Sequence, residues 1–217
     1  SDVYKRQILN QYTNIDVEVR KTYNLTKTQI AARPFCLFIS YSGNTEETIS
    51  AAKNAIDKNL EWAAISSGGE LLDLATKHNK KFVKVPDGLQ PRAAFGLMTK
   101  AVVNYLPNQT KKIFINACEE AGNYLNNLTE DASNEVFEIS KDIANQIGSK
   151  TAVIYAGSDL TYLVAQRWKT QINENSKSKA YVGFMPEVHH NEILSWEADK
   201  EGSKNNFILI LLRGDDH

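Results

Sequence analysis

Apolar and polar positions follow two rhythms along this chain, and the switches between them divide it into elements. Residues 15–20, IDVEVR, alternate with the period of two of a half-buried or edge strand. Residues 34–40, PFCLFIS, form a short unbroken apolar run between Pro34 and a Ser/Gly turn, as a strand buried on both faces requires. Residues 45–58 place Ile49, Ala52 and Ile56 on one side of a helix. The sequence then predicts a strand at 61–67, a turn at Gly68-Gly69, a helix from Glu70 to His78, a strand at 81–86 and a helix at 91–106 opened by Pro91.

Pro107 and Asn108 end that alternation. Residues 109–147 carry no strand-like run and read as helical, with a break expected near Asn126-Asn127 and a stop at Gly148. Strands at 151–158, 180–184 and 206–213 then alternate with helices at 160–174 and 187–199. Strands alternating with helices of this length define an α/β fold class with parallel sheets flanked by helices. The expected division is a first α/β domain over 1–107, then a helical connector and a second α/β domain over 108–217. Both ends read as cut. The first domain opens on SDVYKRQ without a buried strand, and the second stops directly after FILILL. The expectation is a fragment of a longer protein, inactive by itself.

Charge and composition narrow the classes. Lys and Arg number 25 against 26 Asp and Glu, so no charge excess holds this chain on nucleic acid. No apolar run approaches the length of a membrane helix. The two cysteines, Cys36 and Cys118, form neither a CxxC pair nor a disulfide framework. The opening residues lack the pattern of a secretory leader, which makes the Asn24-Leu25-Thr26 and Asn127-Leu128-Thr129 sequons incidental and a cytoplasmic location the expectation.

The strongest chemical signal is Ser40-Tyr41-Ser42-Gly43-Asn44-Thr45-Glu46-Glu47. A buried strand runs through hydroxyl and glycine residues into a helix start, where free N–H groups and the dipole favour an anion. Ser40, Ser42 and Thr45 add hydroxyl donors, and Gly43 lets the backbone come close. The competing reading is helix capping, with Asn44 as N-cap and Glu47 three residues on. The Walker and dinucleotide glycine patterns are both missing, which sets aside a kinase or a dehydrogenase.

Arg92 is expected in a helix first turn, where a cation opposes the dipole and stability alone would not choose it. Glu174 is its mirror image, a carboxylate expected in the last turn of the 160–174 helix and at the carboxyl-side rim of the second sheet. Each reads either as a solvated surface charge or as a catalytic one, Arg92 aimed at an oxyanion and Glu174 acting as a base. His189-His190-Asn191-Glu192 follow Pro186 at the opening of a helix, where an imidazole is favoured neutral and can relay a proton. His189 reads as structural. Trp62, Trp168 and Trp196 read as core. Ser66-Ser67-Gly68-Gly69 is a second strand-to-helix turn with a weak signal. HExxH spacing does not occur, and no metal or cofactor is expected.

SYSGNTEETISAAKNA, WAAISSGGELLDLA, QPRAAFG, INENSK and HHNEILSWE occur in this order. Together they resemble the bifunctional phosphoglucose/phosphomannose isomerases, built from two sugar-isomerase (SIS) domains. The resemblance runs from about residue 8 onward. It implies two SIS-type domains, the first N-terminally truncated, and interconversion of glucose or mannose 6-phosphate with fructose 6-phosphate through a cis-enediolate. It implies that Ser40, Ser42 and Thr45 bind the sugar phosphate, that Glu174 moves the proton between C1 and C2, and that Arg92 stabilises the enediolate. Pro91 and Gly43 would line the pocket. His190 would assist ring opening, supplied from the partner subunit of a homodimer. Family elements before the first strand here, and a lysine and a threonine beyond the last, have no counterpart in this chain. A non-catalytic SIS module that senses sugar phosphates is the alternative; Glu174 and His190 separate the two, because a sensor needs neither acid nor base.

Overall fold

A computed structural model describes residues 16–130 and 135–214. The chain forms two compact units that meet in sequence between Gly122 and Asn123.

In the first unit, a short helix α1 (Lys27–Ala32) precedes β1 (Cys36–Ile39), α2 (Glu46–Asp57), β2 (Trp62–Ser66), α3 (Gly69–Lys77) and β3 (Phe82–Lys84). The sheet order is β1-β2-β3, all parallel, with Cys36 opposite Trp62 and Ala64 opposite Phe82. Every residue of β2 is buried, as a strand covered on both faces must be. One face packs Phe38, Trp62 and Ala64 against Ala52, Ala55, Leu71 and Ala75 of α2 and α3. The other packs Ile65 and Val85 against Met98, Ala101 and Val102 of α4 (Phe95–Val102). Each large side chain taken out of water there contributes about 1.5–3 kcal/mol.

Two expectations change. Residues 16–20 join no sheet, although Val17 packs on the Ile65 cluster while Asp16, Glu18 and Arg20 stay exposed; Ile15 lies outside the described residues. The alternation leaves Val17 and Val19 half-buried without giving either a strand partner. The 91–106 helix is also shorter than expected. Residues 91–94 close as turns, α4 follows, and Val103–Tyr105 is a 3₁₀ turn.

Helix α5 (Asn108–Thr129) runs unbroken through Asn126 and Asn127, against the expected interruption, and α6 (Glu135–Ile147) follows. The second unit's sheet contains β4 (Thr151–Ala156), β5 (Ala180–Phe184) and β6 (Phe207–Leu212), ordered β5-β4-β6 and parallel throughout. Helix α7 (Asp159–Gln171) covers one face, where Ala165, Trp168 and Tyr162 meet Ile154, Val182 and Ile210. Between β5 and β6 the expected helix at 187–199 is two short ones, α8 (Glu187–Asn191) and α9 (Ile193–Ala198), and a third, α10 (Lys200–Asn206), follows it. Asp199 breaks the run, leaving helical geometry at φ −128° and capping Gly202 N–H with its side chain. The order of strand addition reverses at β4, with β5 on one side of it and β6 on the other. In open parallel sheets such a reversal opens a crevice at the carboxyl ends of the strands.

Candidate active site

In the first unit, β1 delivers Ser40 buried and Ser42 and Thr45 exposed at the start of α2. Ser40 Oγ accepts from Gly43 N at 3.1 Å and lies 2.7 Å from Thr45 Oγ1. Only one of the two hydroxyl protons is used between them, so the other is left for a ligand oxygen. Ser42 Oγ accepts from Asn44 N at 3.2 Å. The N-cap is Thr45, not Asn44, and its side chain makes no capping bond. Asn44 instead turns its Oδ1 to Glu70 N at 3.0 Å, at the start of α3. The Asn44–Glu47 capping box of the competing reading is therefore absent, and the first N–H groups of α2 are not sealed by a cap side chain. They stand beside three hydroxyls, as an anion site needs.

The Ser66–Gly69 turn, weak in the sequence, is locked into this one. Ser67 donates through both its N–H (2.9 Å) and its hydroxyl (2.7 Å) to Tyr41 O, and Leu71 N donates to Gly43 O at 3.0 Å. Gly43 has φ +71°, and a Cβ there would lie 1.8 Å from Gly68 O. Gly69 has φ +72°, and its Cβ would meet Ser42 O at 2.5 Å. Only glycine fits either position. The signal in the sequence was the Gly68-Gly69 pair, which a simple turn does not demand.

Arg92 lies before α4 rather than in its first turn, because Gln90 O accepts from Ala93 N and Ala94 N and closes the segment as a turn. The dipole argument for Arg92 thus loses its premise. Pro91 is exposed and Arg92 half-buried. Tyr41 braces the approach to them: its hydroxyl donates to Pro86 O at 3.0 Å and accepts from Leu89 N at 2.9 Å.

In the second unit, Glu174 lies in a π-helical extension, Ile172–Ser176, of α7. Single π turns of this kind recur at functional sites. Lys177, at φ +54°, ends the extension and donates from Nζ to Glu174 O at 2.6 Å. Asn173 Nδ2 ties the turn to Ser178 O at 2.8 Å. Helix α7 runs back from the carboxyl end of β4 to the start of β5, so Glu174 stands at the amino edge of the sheet, opposite to the rim expected. His189 and His190 follow β5 and stand toward the carboxyl edge. A five-residue strand separates the two edges by roughly 16 Å.

Both histidines lie in the last turn of α8, not at a helix N-terminus, so the dipole argument for them also fails. His189, read as structural, is exposed and lines a cavity of about 570 Å³ with Gly157, Met185, Pro186 and residues 211–214. This cavity occupies the carboxyl-end crevice. Beneath α8, the Tyr155 hydroxyl donates to Glu192 Oε2 at 2.7 Å and accepts from Trp196 Nε1 at 2.7 Å. Burial, and then the Glu192 bond, push the Tyr155 hydroxyl up to about 12. Trp196 is thus a hydrogen-bonded residue and not simply core, whereas Trp62 and Trp168 pack in the cores. Among the described residues, no group of three or more His, Cys, Asp or Glu is placed to hold a metal, and no helix is long and apolar enough to cross a membrane.

Parallel sheets with a hydroxyl-lined turn at a helix start define the class as SIS-type α/β. A solved Salmonella typhimurium LT2 protein, described provisionally as sugar binding, shares the fold with a TM-score of 0.71 at 15% identity, over 98% of this chain and 65% of that one. Residues 138–217 match the family of the bacterial phospho-glucose isomerase C-terminal SIS domain. A bifunctional phosphoglucose/phosphomannose isomerase of Aquifex aeolicus (strain VF5) is 38% identical over 183 residues, 84% of this chain and 53% of that protein. Its counterpart in Caldicellulosiruptor bescii is 35% identical over 212 residues, 94% of this chain and 61% of that protein. The chain is thus similar to bifunctional phosphoglucose/phosphomannose isomerases over most of its own length, and it spans little more than half the length of these curated relatives.

Proposed function

We propose that this chain carries binding and proton-transfer residues of an isomerase that interconverts glucose 6-phosphate or mannose 6-phosphate with fructose 6-phosphate through a cis-enediolate. The observation that carries this reading is the unsealed start of α2. Ser40, Ser42 and Thr45 surround N–H groups that no cap side chain occupies, in a chain whose relatives act on such sugars. Holding the remote phosphate positions the reacting carbons. His190 assists ring opening, and Glu174 carries the proton between C1 and C2. So weak a base suffices only when the enediolate is strongly stabilised, which is the role of Arg92. Pro91 and Gly43 border the sugar. No step calls for a metal or a cofactor.

The functional protein in this reading is a homodimer with shared sites. What supports it is that Glu174 and His190 occupy opposite edges of one sheet. The two act on one substrate when they come from different copies. The test uses the full-length protein. Glu174→Gln abolishes exchange of the substrate C2 proton with solvent and leaves phosphate binding intact; exchange at the normal rate removes Glu174 as base. Mixing Glu174→Gln with His190→Ala chains then restores about a quarter of the sites, the fraction set by random pairing in a two-fold dimer. No recovery on mixing refutes the shared site.

A further inference from the structure

We propose that Tyr155, Glu192 and Trp196 act as positioning residues that fasten the histidine-bearing helix α8 to the central strand of the second unit. The inference rests on the isomerase reading for its catalytic consequence, but not for its structural one.

Helix α8 has five residues and could not hold its own geometry in water. Both its histidines are exposed, so their packing does not fix them. Two anchors do. Val188 is 3% exposed and packs on Val153 and Tyr155. It fits there because residue 183 is glycine: a Cβ would lie 2.5 Å from Val188 Cγ1 and 2.7 Å from Tyr155 Cε1. The second anchor is polar. Glu192 ends α8, donating its N–H to Val188 O at 3.0 Å, and precedes α9, where its carbonyl accepts from Ser195 N at 3.0 Å and Ser195 Oγ at 2.6 Å. Its carboxylate accepts the Tyr155 hydroxyl, whose oxygen takes the Trp196 indole N–H of α9. Helices α8 and α9 are thus tied through one phenol to the middle of the sheet. Such a chain of partly buried bonds, one of them charge-assisted, is a means by which a short helix holds a side chain in one place. Tyr155 touches no reacting atom in this account.

The test compares Tyr155→Phe, Glu192→Gln and Glu192→Ala in the full-length protein. Phe keeps the ring that packs on Val188, and Gln keeps an oxygen for the phenol. Tyr155→Phe and Glu192→Ala raise amide hydrogen exchange at His189 and Glu192 about 5–10-fold, the measure of one net hydrogen bond, while β4 and β5 amides keep their protection. Glu192→Gln stays within about 3-fold of the parent. In the isomerase assay the first two variants lower kcat about 10-fold with KM little changed, as misplacement of a catalytic group does. Unchanged exchange at His189 and Glu192 in Tyr155→Phe overturns the proposal. Loss of protection across β4 and β5 also overturns it, since the pair is then only a core contact, and so does Glu192→Gln behaving like Glu192→Ala. A protein without isomerase activity leaves the exchange comparison to decide.

Discussion

Each unit has a turn that leads from its first parallel strand into a helix, and the two turns end their helices in opposite ways. After β4, Ser158 caps α7 by accepting from Thr161 N at 3.3 Å, while Thr161 Oγ1 accepts from Ser158 N at 2.9 Å. The reciprocal pair seals the helix start. After β1, Thr45 occupies the cap position of α2 without a side-chain bond, and Asn44 spends its carbonyl on α3. An N-cap bond is worth about 1 kcal/mol. The first unit forgoes it and keeps donors that a phosphate can use. The difference supports the proposed phosphate site at the start of α2 on grounds separate from the family resemblance.

Substitutions can break this contrast. The largest effect is expected from Gly43→Ala, which places a methyl group 1.8 Å from Gly68 O at a positive φ. It should cost about 3 kcal/mol or more in urea unfolding and abolish sugar-phosphate binding with it. Next come paired replacements at the two turns. Ser42→Ala should weaken sugar-phosphate affinity about 10-fold, as loss of a bond to a charged group does, with little change in stability. Ser158→Ala should do the reverse, costing about 1 kcal/mol with unchanged affinity. Calorimetric titration and denaturation on the same samples check both, and equal affinity losses would erase the distinction.

Two smaller effects sharpen it. Tyr155 is raised from 10.0 to about 12, so the folded state favours the neutral phenol. The stability this supplies is complete below pH 10 and is lost as pH rises through about 12. Tyr155→Phe should flatten the alkaline limb of stability followed by circular dichroism. Glu46 and Glu47 in the first turn of α2 suit the dipole but repel a phosphate. Glu46→Gln with Glu47→Gln should tighten sugar-phosphate binding by only a few-fold at low salt, with the gain fading as salt is added. An unchanged affinity would mean that neither carboxylate senses the ligand.

Much of the fold was legible because buried parallel strands announce themselves. CLFI, WAAIS and TAVIYA were read from unbroken apolar runs, and each is a strand. Where burial was partial, the pattern misled. Residues 16–20 alternate without pairing, and 187–199 split at Glu192 into two short helices, with Asp199 capping a third. The SYSGNT turn was visible as composition, but not its state. Whether Asn44 caps its own helix or a neighbour depends on where α3 begins, a long-range fact. The edge on which Glu174 stands follows from the direction of α7, which the alternation of strand and helix already sets. The tie from Tyr155 to Glu192 spans 37 residues. Only a tyrosine in the middle of a buried strand hinted that its hydroxyl needed a partner.

The meshing of Gly43 with Gly68 and of Gly69 with Ser42 has a consequence for how this region can be altered. Neither turn can be lengthened, grafted or given a side chain while the other stays as it is, because each occupies the volume the other would need. For any redesign of ligand preference here, residues 40–45 and 66–70 form one indivisible part, to be exchanged together or left alone.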